Sequence, residues 1–182
     1  MNLTGQLLIA PPSIRGNFWE KSVIFITENH ERGSLGVALN KSSKVSIREF
    51  SSQSGVECDI PGKVYAGGPV NLKAMTLLHS SDWSCENTMQ INEDFCISSH
   101  QDILTKLAMG DRPTHWRLIV GLCAWTPGQL EAEVKGRPPY NHNQSWLIAT
   151  ANYESVFGLD GRDQWTNSIE CSSMEFVQKI LD

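Results

Sequence analysis

The chain has 182 residues, 40% hydrophobic and 19% charged, with 14 glycines, 8 prolines and a formal net charge of −5. That composition excludes a disordered, collagenous or coiled-coil chain, and a chain of this length buries about 70% of its unfolded surface, so it needs neither disulfides nor metal to fold. No run approaches 18 apolar residues, which excludes a membrane-spanning helix, and the first ten residues lack the basic start and long apolar run of a signal peptide.

In chain order, Leu7–Ala10 is a short apolar run halted by Pro11-Pro12 and predicts a buried strand. Ser22–Thr27 is rich in β-formers, closes on the polar Glu28–Gly33 segment and predicts a hairpin with Leu35–Leu39. Val45–Gln53, carrying Ile47 and Phe50, predicts a short helix. Val64–Ala66 predicts a strand running into the breaker Gly67-Gly68-Pro69, and Ala74–His79 and Thr88–Ile91 predict further strands. Ser99–Met109 repeats apolar residues at helical spacing (Ile103, Leu104, Leu107, Ala108), with Ser99 as cap and Gly110 as stop. Trp116–Trp125 is nearly continuous apolar sequence and predicts a central strand buried on both faces. Ser145–Ala151 predicts a last strand, and the tail from Asn152 two or three short helices, the final one with Met174, Val177 and Leu181 on one face. Strands and helices in irregular order predict an α+β fold, as one domain over residues 1–182.

From Glu154 onward six acids face only Arg162 and Lys179, so the preceding residues are near neutral with charges interspersed. Such a chain lacks the basic stripe that displaces counterions from a phosphate backbone, which argues against direct nucleic-acid binding. The densest basic stretch, Lys41, Lys44 and Arg48, reads as a solvated loop. The five cysteines (Cys58, Cys85, Cys96, Cys123, Cys171) form no Cys-x-x-Cys and read as free thiols in a cytoplasmic setting. The five histidines show no ligand spacing, so neither a metal site nor a cofactor is expected.

Three segments in this order and spacing are more specific than any generic motif. They are Gly5-Gln-Leu-Leu-Ile-Ala-Pro-Pro12 leading into Asn17-Phe18 and Ser22-Val-Ile-Phe-Ile26; Gly36-Val-Ala-Leu-Asn-Lys41 followed by Gly67-Gly-Pro-Val70; and Arg117 with Gly121-Leu-Cys-Ala-Trp-Thr-Pro-Gly-Gln-Leu-Glu131. Together they resemble the YqgE/AlgH family of bacterial proteins over about residues 3 to 170. The resemblance implies a compact α+β fold with a partly barrel-like sheet flanked by helices. It implies no settled activity; one branch is named as a regulator of alginate synthesis genes. The chain departs from the family pattern at Leu122-Cys123-Ala124 and near its C-terminus, where Ser-Met-Glu-Phe replaces a small-residue, His-containing ending.

Each motif has a scaffold reading beside a functional one. Thr126-Pro127-Gly128-Gln129 predicts a helix start, with Thr126 as N-cap, Pro127 at the first position, Gln129 completing a capping box and Trp125 against Leu130 as a staple. Glu131 falls at pairing distance from Lys135. Glu131 and Glu133 diverge on a helix and are no catalytic pair. In a regular strand Arg117 shares its face with Ile119, Gly121, Cys123 and Trp125, so its guanidinium needs a carboxylate, carbonyl or ligand; an internal glutamate is the simplest partner. Gly67-Gly68 reads as a tight turn before an anion cradle. Asn40-Lys41 reads as a polar turn or a cleft entrance, and Asn17-Phe18-Trp19 as an aromatic anchor. No Gly-x-Ser-x-Gly elbow or local Cys signature marks a nucleophile, and Cys123 in an apolar strand is inert.

The first functional expectation is a non-enzymatic module that binds a protein or small-molecule partner in a regulatory role, with no catalytic residues. The alternative is an enzyme acting on a small polar or anionic substrate in a cleft built from Asn40, Lys41, Gly67, Gly68 and Arg117. Gln129 joins these five as a candidate ligand-binding residue.

Overall fold

The computed structural model describes residues 2–140 and 145–181. Its sheet of ten strands is almost wholly antiparallel, and the eight on the main path run β10-β1-β2-β3-β9-β6-β8-β7. These are β1 (Gln6–Ile9), β2 (Val23–His30), β3 (Gly33–Ala38), β6 (Val70–Ser80), β7 (Thr88–Gln90), β8 (Phe95–Ser98), β9 (Trp116–Trp125) and β10 (Leu147–Thr150). The remaining two, β4 (Ser42–Ser46) and β5 (Lys63–Ala66), form a ribbon that joins β9 through the sole parallel pairing among the described residues, β5 with β9. The sheet curls into a partly barrel-like half-shell, flanked by α1 (Ile47–Gln53), α2 (Ile103–Ala108), α3 (Gln129–Val134) and the 21-residue α4 (Gly161–Leu181). This is the expected α+β architecture.

Three cores divide the space. The concave side of the sheet holds Leu7, Ile9, Phe25, Leu78, Phe95 and Ile119; a second cluster packs Leu8, Ile24, Cys123 and Trp125 against α3; a third packs Leu77 and Leu118 against α1 and α2. Alternation along β1, β2 and β9 sends successive side chains to opposite clusters, so both faces of the central strands are buried.

Several expectations are corrected. Gly121 takes φ +78 and the β6–β9 register shifts between Val70↔Leu122 and Met75↔Val120. Residues 71–74 of β6 stand opposite Gly121 alone, and the left-handed turn of the β9 backbone at this glycine reverses the alternation, so the side chains beyond it move to the other face. Arg117 therefore shares its face with Ile119 and Leu122, while Cys123 and Trp125 turn to the opposite cluster. The strand at Ser22–Thr27 continues to His30 across a bulge, so much of the polar segment is strand rather than turn. Helix α2 starts after Asp102, not Ser99, and no side chain caps it. The real capping box is on α1, where Ser46 Oγ accepts from the Glu49 N–H at 3.1 Å and Glu49 accepts from the Ser46 N–H at 2.8 Å. The tail is one π-type turn, Glu154–Gly158, and one long helix instead of two or three short ones. Met174, Val177 and Leu181 lie on its outer, exposed part.

Helix α4 also closes an edge. β10 ends the strand path, and its outward groups are taken by α4: Ser172 Oγ donates to the Ile148 carbonyl, and Glu175 accepts from the Thr150 N–H. An unpaired edge strand is a template for aggregation, and here side chains cover it.

Candidate functional site

The site is organised by the loop between β1 and β2. Asn17 Oδ1 accepts from the Trp19 N–H at 2.9 Å, Glu20 accepts from the Gly16 N–H at 2.8 Å, and Ser22 Oγ donates to the Phe18 carbonyl at 2.9 Å. These local bonds knot the loop into a rigid partition with a depression on either side; Asn17 lines both.

The first depression is a cleft of about 390 Å³ walled by Trp19, Trp125, Trp146 and Tyr140, with Arg15, Gln129 and Glu133 among its polar residues. Glu133 is fixed by three donors. Its Oε2 accepts from the Trp125 indole at 3.1 Å and the Trp146 indole at 2.8 Å, and its Oε1 accepts from the Gln129 amide at 2.9 Å. Trp19 meets Trp146 edge-on, ring centroids 5.9 Å apart. A carboxylate has about four acceptor positions, so Glu133 retains capacity for a fourth donor. No ion pair neutralises it among the described residues. A negative charge among indole and phenol rings is the chemistry that receives a cation.

The second depression, about 360 Å³ and open, gathers Lys21, Lys41 and Arg162 against Glu20. Lys41 Nζ donates to the Glu20 carbonyl at 2.5 Å and sits 5.7 Å from the Phe18 ring centre. Burial holds its pKa below the usual lysine value. Asn40 lines this depression but is committed to the framework: its Oδ1 accepts from the Val23 N–H, and its Nδ2 donates to the Lys21 and Gly161 carbonyls.

The six candidate residues do not meet in one place. Asn40 and Lys41 share the basic depression, and Gln129 belongs to the aromatic cleft. Arg117 is 5% exposed. Its guanidinium donates to the carbonyls of Leu39 and Leu159 and to Gln164 Oε1 at 3.0 Å, and it stacks 4.7 Å from the Tyr65 ring centre. Carbonyls and an amide thus replace the expected glutamate. Tyr65 in turn donates to Asp160 at 3.2 Å, which brings a carboxylate near without an ion pair. Gly67 and Gly68 are packing glycines: a Cβ on Gly67 would stand 2.3 Å from the Gly121 carbonyl oxygen, and one on Gly68 would stand 2.2 Å from Leu122 backbone atoms. The Gly67 N–H donates to the Val120 carbonyl at 2.8 Å, so it is not offered to an anion.

The Thr126–Gln129 segment is a β-turn, not a capping box. Gly128 has φ +74 and ψ −7, Pro127 precedes it, and the Gln129 N–H donates to the Thr126 carbonyl at 3.0 Å. Those are the marks of a type II turn. The Thr126 hydroxyl donates to Gln129 Oε1 and caps no backbone N–H, although Gln129 Oε1 still accepts from the Thr126 N–H. Trp125 and Leu130 do pack in one cluster. Glu131 accepts from Asn29 Nδ2 at 3.0 Å and makes no ion pair with Lys135 among the described residues.

One serine–histidine contact does form. His79 Nε2 and Ser98 Oγ lie 2.8 Å apart, and Nδ1 faces the Ser80 carbonyl at 2.8 Å. His79 is completely buried, burial lowers its pKa, and Thr88 Oγ1 holds Ser98 from the other side at 2.7 Å, so the pair is a satisfied interior network. Burial pushes the Cys123 thiol up to about 12. Among the described residues no three His, Cys, Asp or Glu side chains are placed to hold a metal ion, and no helix is long and apolar enough to cross a membrane.

The AlgH-like family, DUF179, matches residues 7–176. UPF0301 protein GOX1459 of Gluconobacter oxydans is 33% identical over 174 residues, covering 93% of this chain and 90% of the relative. UPF0301 protein SPO0296 of Ruegeria pomeroyi is 32% identical over 177 residues, covering 93% and 91%. The solution structure of the AlgH protein from Pseudomonas aeruginosa superposes with TM-score 0.75 at 25% identity, covering 94% of this chain and 89% of the other. DIP2367 of Corynebacterium diphtheriae shares the fold, with TM-score 0.71 at 23% identity over 91% and 84%. By the extent of these matches, the chain belongs to the AlgH-like, UPF0301 family.

Proposed function

We propose that the chain is a non-enzymatic binding module of the cytoplasm whose ligand, a small molecule or an exposed side chain of a protein, presents an organic cation to the aromatic cleft. One observation carries this reading: Glu133 lies among Trp19, Trp125, Trp146 and Tyr140, held, among the described residues, by three neutral donors and by no cation. Neutral donors orient the carboxylate without cancelling its charge, and indole faces add cation–π attraction worth about 0.5–2 kcal/mol. A regulatory role fits a binding module, and one branch of the family is named as a regulator. Five free thiols support the cytoplasmic setting.

Tetramethylammonium chloride tests the reading against tert-butanol, its neutral counterpart of similar shape. The expected result is a saturable change in tryptophan emission with the cation only, lost in Glu133→Gln. Equal responses to both probes would refute it.

A second reading, a small anionic substrate, is favoured by the gathering of Lys21, Lys41 and Arg162. It predicts that inorganic phosphate raises the melting temperature and that Lys41→Ala abolishes the rise.

A further inference from the structure

We propose that the last turns of α4 are an interface between two copies of this chain, related by a two-fold axis close to Val177. The helix changes character along its length. In its first half Trp165 and Ile169 pack against the concave core in the ordinary way. From Ser172 onward the polarity is inverted. Ser172 and Glu175 face the sheet, where they hold the Ile148 carbonyl and the Thr150 N–H. Met174, Phe176, Val177, Ile180 and Leu181 are turned to solvent instead, each between 53% and 75% exposed. They are half of the exposed large apolar residues among the described residues. At about 100° per residue the five cover one continuous arc of roughly 160°. A surface helix normally turns such a stripe to the core; here it has no partner within the chain.

Beside this ridge lies a groove of about 680 Å³, with Phe176 and Val177 of α4 on one side and Val134, Leu147 and Ile148 on the other. A two-fold contact requires one patch to serve both partners, and a ridge next to a groove meets that condition. Val177 lies near the middle of the patch, both along the helix and around it. Only Trp146 lines both this groove and the aromatic cleft, and the variants below leave it in place.

Area and charge choose the occupant. Each of the five residues leaves on the order of 100 Å² in water, about 500–600 Å² together, the upper end for the largest apolar patch of a monomer. Two copies face to face bury about 1,000–1,200 Å², which reaches the lower bound of a specific interface before the groove walls are added. Residues 170–181 carry only Glu170, Glu175 and Lys179 as charges. A helix that lies on a membrane has a polar face rich in lysine and arginine, and this one has a single lysine. A strongly charged peptide finds no counter-charge in the groove, where Glu175 and Lys179 balance. A second α4, apolar and near neutral, suits both ridge and groove.

Sedimentation velocity on the full chain tests this, in reducing buffer so that the five free thiols form no cross-link. The expected result is a reversible monomer–dimer equilibrium with a Kd of about 1–100 μM, as suits an interface of this size. Val177→Lys and Val177→Glu each set two like charges against one another across the axis, and each should weaken dimerisation at least about tenfold. An equimolar mixture of the two should associate at least about tenfold more tightly than either alone, because the charges now oppose. Leu72→Lys, at an exposed apolar residue of β6 outside the patch, should dimerise like the wild type. At the lowest concentration, where the wild type is monomeric, all three variants should melt with it, since both positions are exposed. The proposal is overturned if the wild type stays monomeric up to about 300 μM, far above that Kd range. It is equally overturned if the Val177 variants dimerise like the wild type, or if their mixture associates no better than either alone. A wild type that remains monomeric yet co-sediments with phosphatidylcholine vesicles would make a lipid surface the occupant and overturn it as well.

Discussion

Replacing Arg117 with methionine separates a structural guanidinium from a ligand-binding one. The substitution keeps a long apolar stem and removes every donor. It strands the Leu39 and Leu159 carbonyls, which close the loop ahead of β4 and the turn ahead of α4, and frees Gln164 Oε1. Each buried acceptor left unpaired costs about 1–3 kcal/mol, and part of that is offset because the variant no longer desolvates a charge. The net expectation is a loss of about 2–4 kcal/mol. With a urea slope near 2 kcal/mol per molar, the denaturation midpoint should fall by roughly 1–2 M. Arg117→Lys should lose about half as much, since one ammonium cannot span carbonyls on two separate segments. In a double-mutant cycle with Gln164→Leu, the two losses should be non-additive by about 0.5 kcal/mol or more. If Arg117→Met unfolds within about 0.5 kcal/mol of the wild type, the guanidinium does not tie the segments together, and a ligand role for it returns.

Thr126→Ala should lose less than about 0.5 kcal/mol, because its hydroxyl caps nothing, whereas Gly128→Ala should lose about 1–2 kcal/mol through its positive φ; equal losses in chemical denaturation would contradict the turn assignment. Ser46→Ala, at the genuine capping box, should lose about 1 kcal/mol in the same assay. Asp82 has its pKa lowered from 3.8 to about 2, first by the Ser80 hydroxyl and then by that of Thr114. Its contribution is present above about pH 4 and disappears as pH falls toward 2. The shift corresponds to roughly 2 kcal/mol, and screening at this exposed position reduces the expectation to about 1 kcal/mol or less. Asp82→Asn should therefore be less stable at pH 7 and match the wild type near pH 2; a constant gap across that range would contradict the assignment.

Much of the scaffold was legible because it is written in local patterns. The apolar runs at Leu7, Ser22, Leu35 and Trp116 became β1, β2, β3 and β9 within a few residues. What escaped depended on a single backbone torsion or on distant partners. The Gly121 bulge changes which side chains accompany Arg117, and strand alternation alone carries no sign of it. Pro127-Gly128 fits a helix start and a type II turn equally by residue type; the left-handed Gly128 decides for the turn. Ser46-Ile-Arg-Glu49 did carry the capping signature, and that signal was in plain view. The aromatic cleft was illegible for a different reason: Trp19, Trp125, Glu133 and Trp146 come from a loop, a strand end, a helix and the approach to β10, with no fixed spacing among them. A buried indole needs an acceptor, but the sequence does not say which.

The most direct test of the cleft follows the indole N–H resonances of Trp125 and Trp146 during a titration with tetramethylammonium. Both N–H groups donate to Glu133, and Trp83 supplies an internal control because its indole donates to a different carboxylate, Asp111, at 2.7 Å. A cation drawing on Glu133 should shift the Trp125 and Trp146 signals together along one saturating curve while Trp83 stays in place. Shifts of equal size at all three indoles, or none at Trp125 and Trp146, would contradict the account.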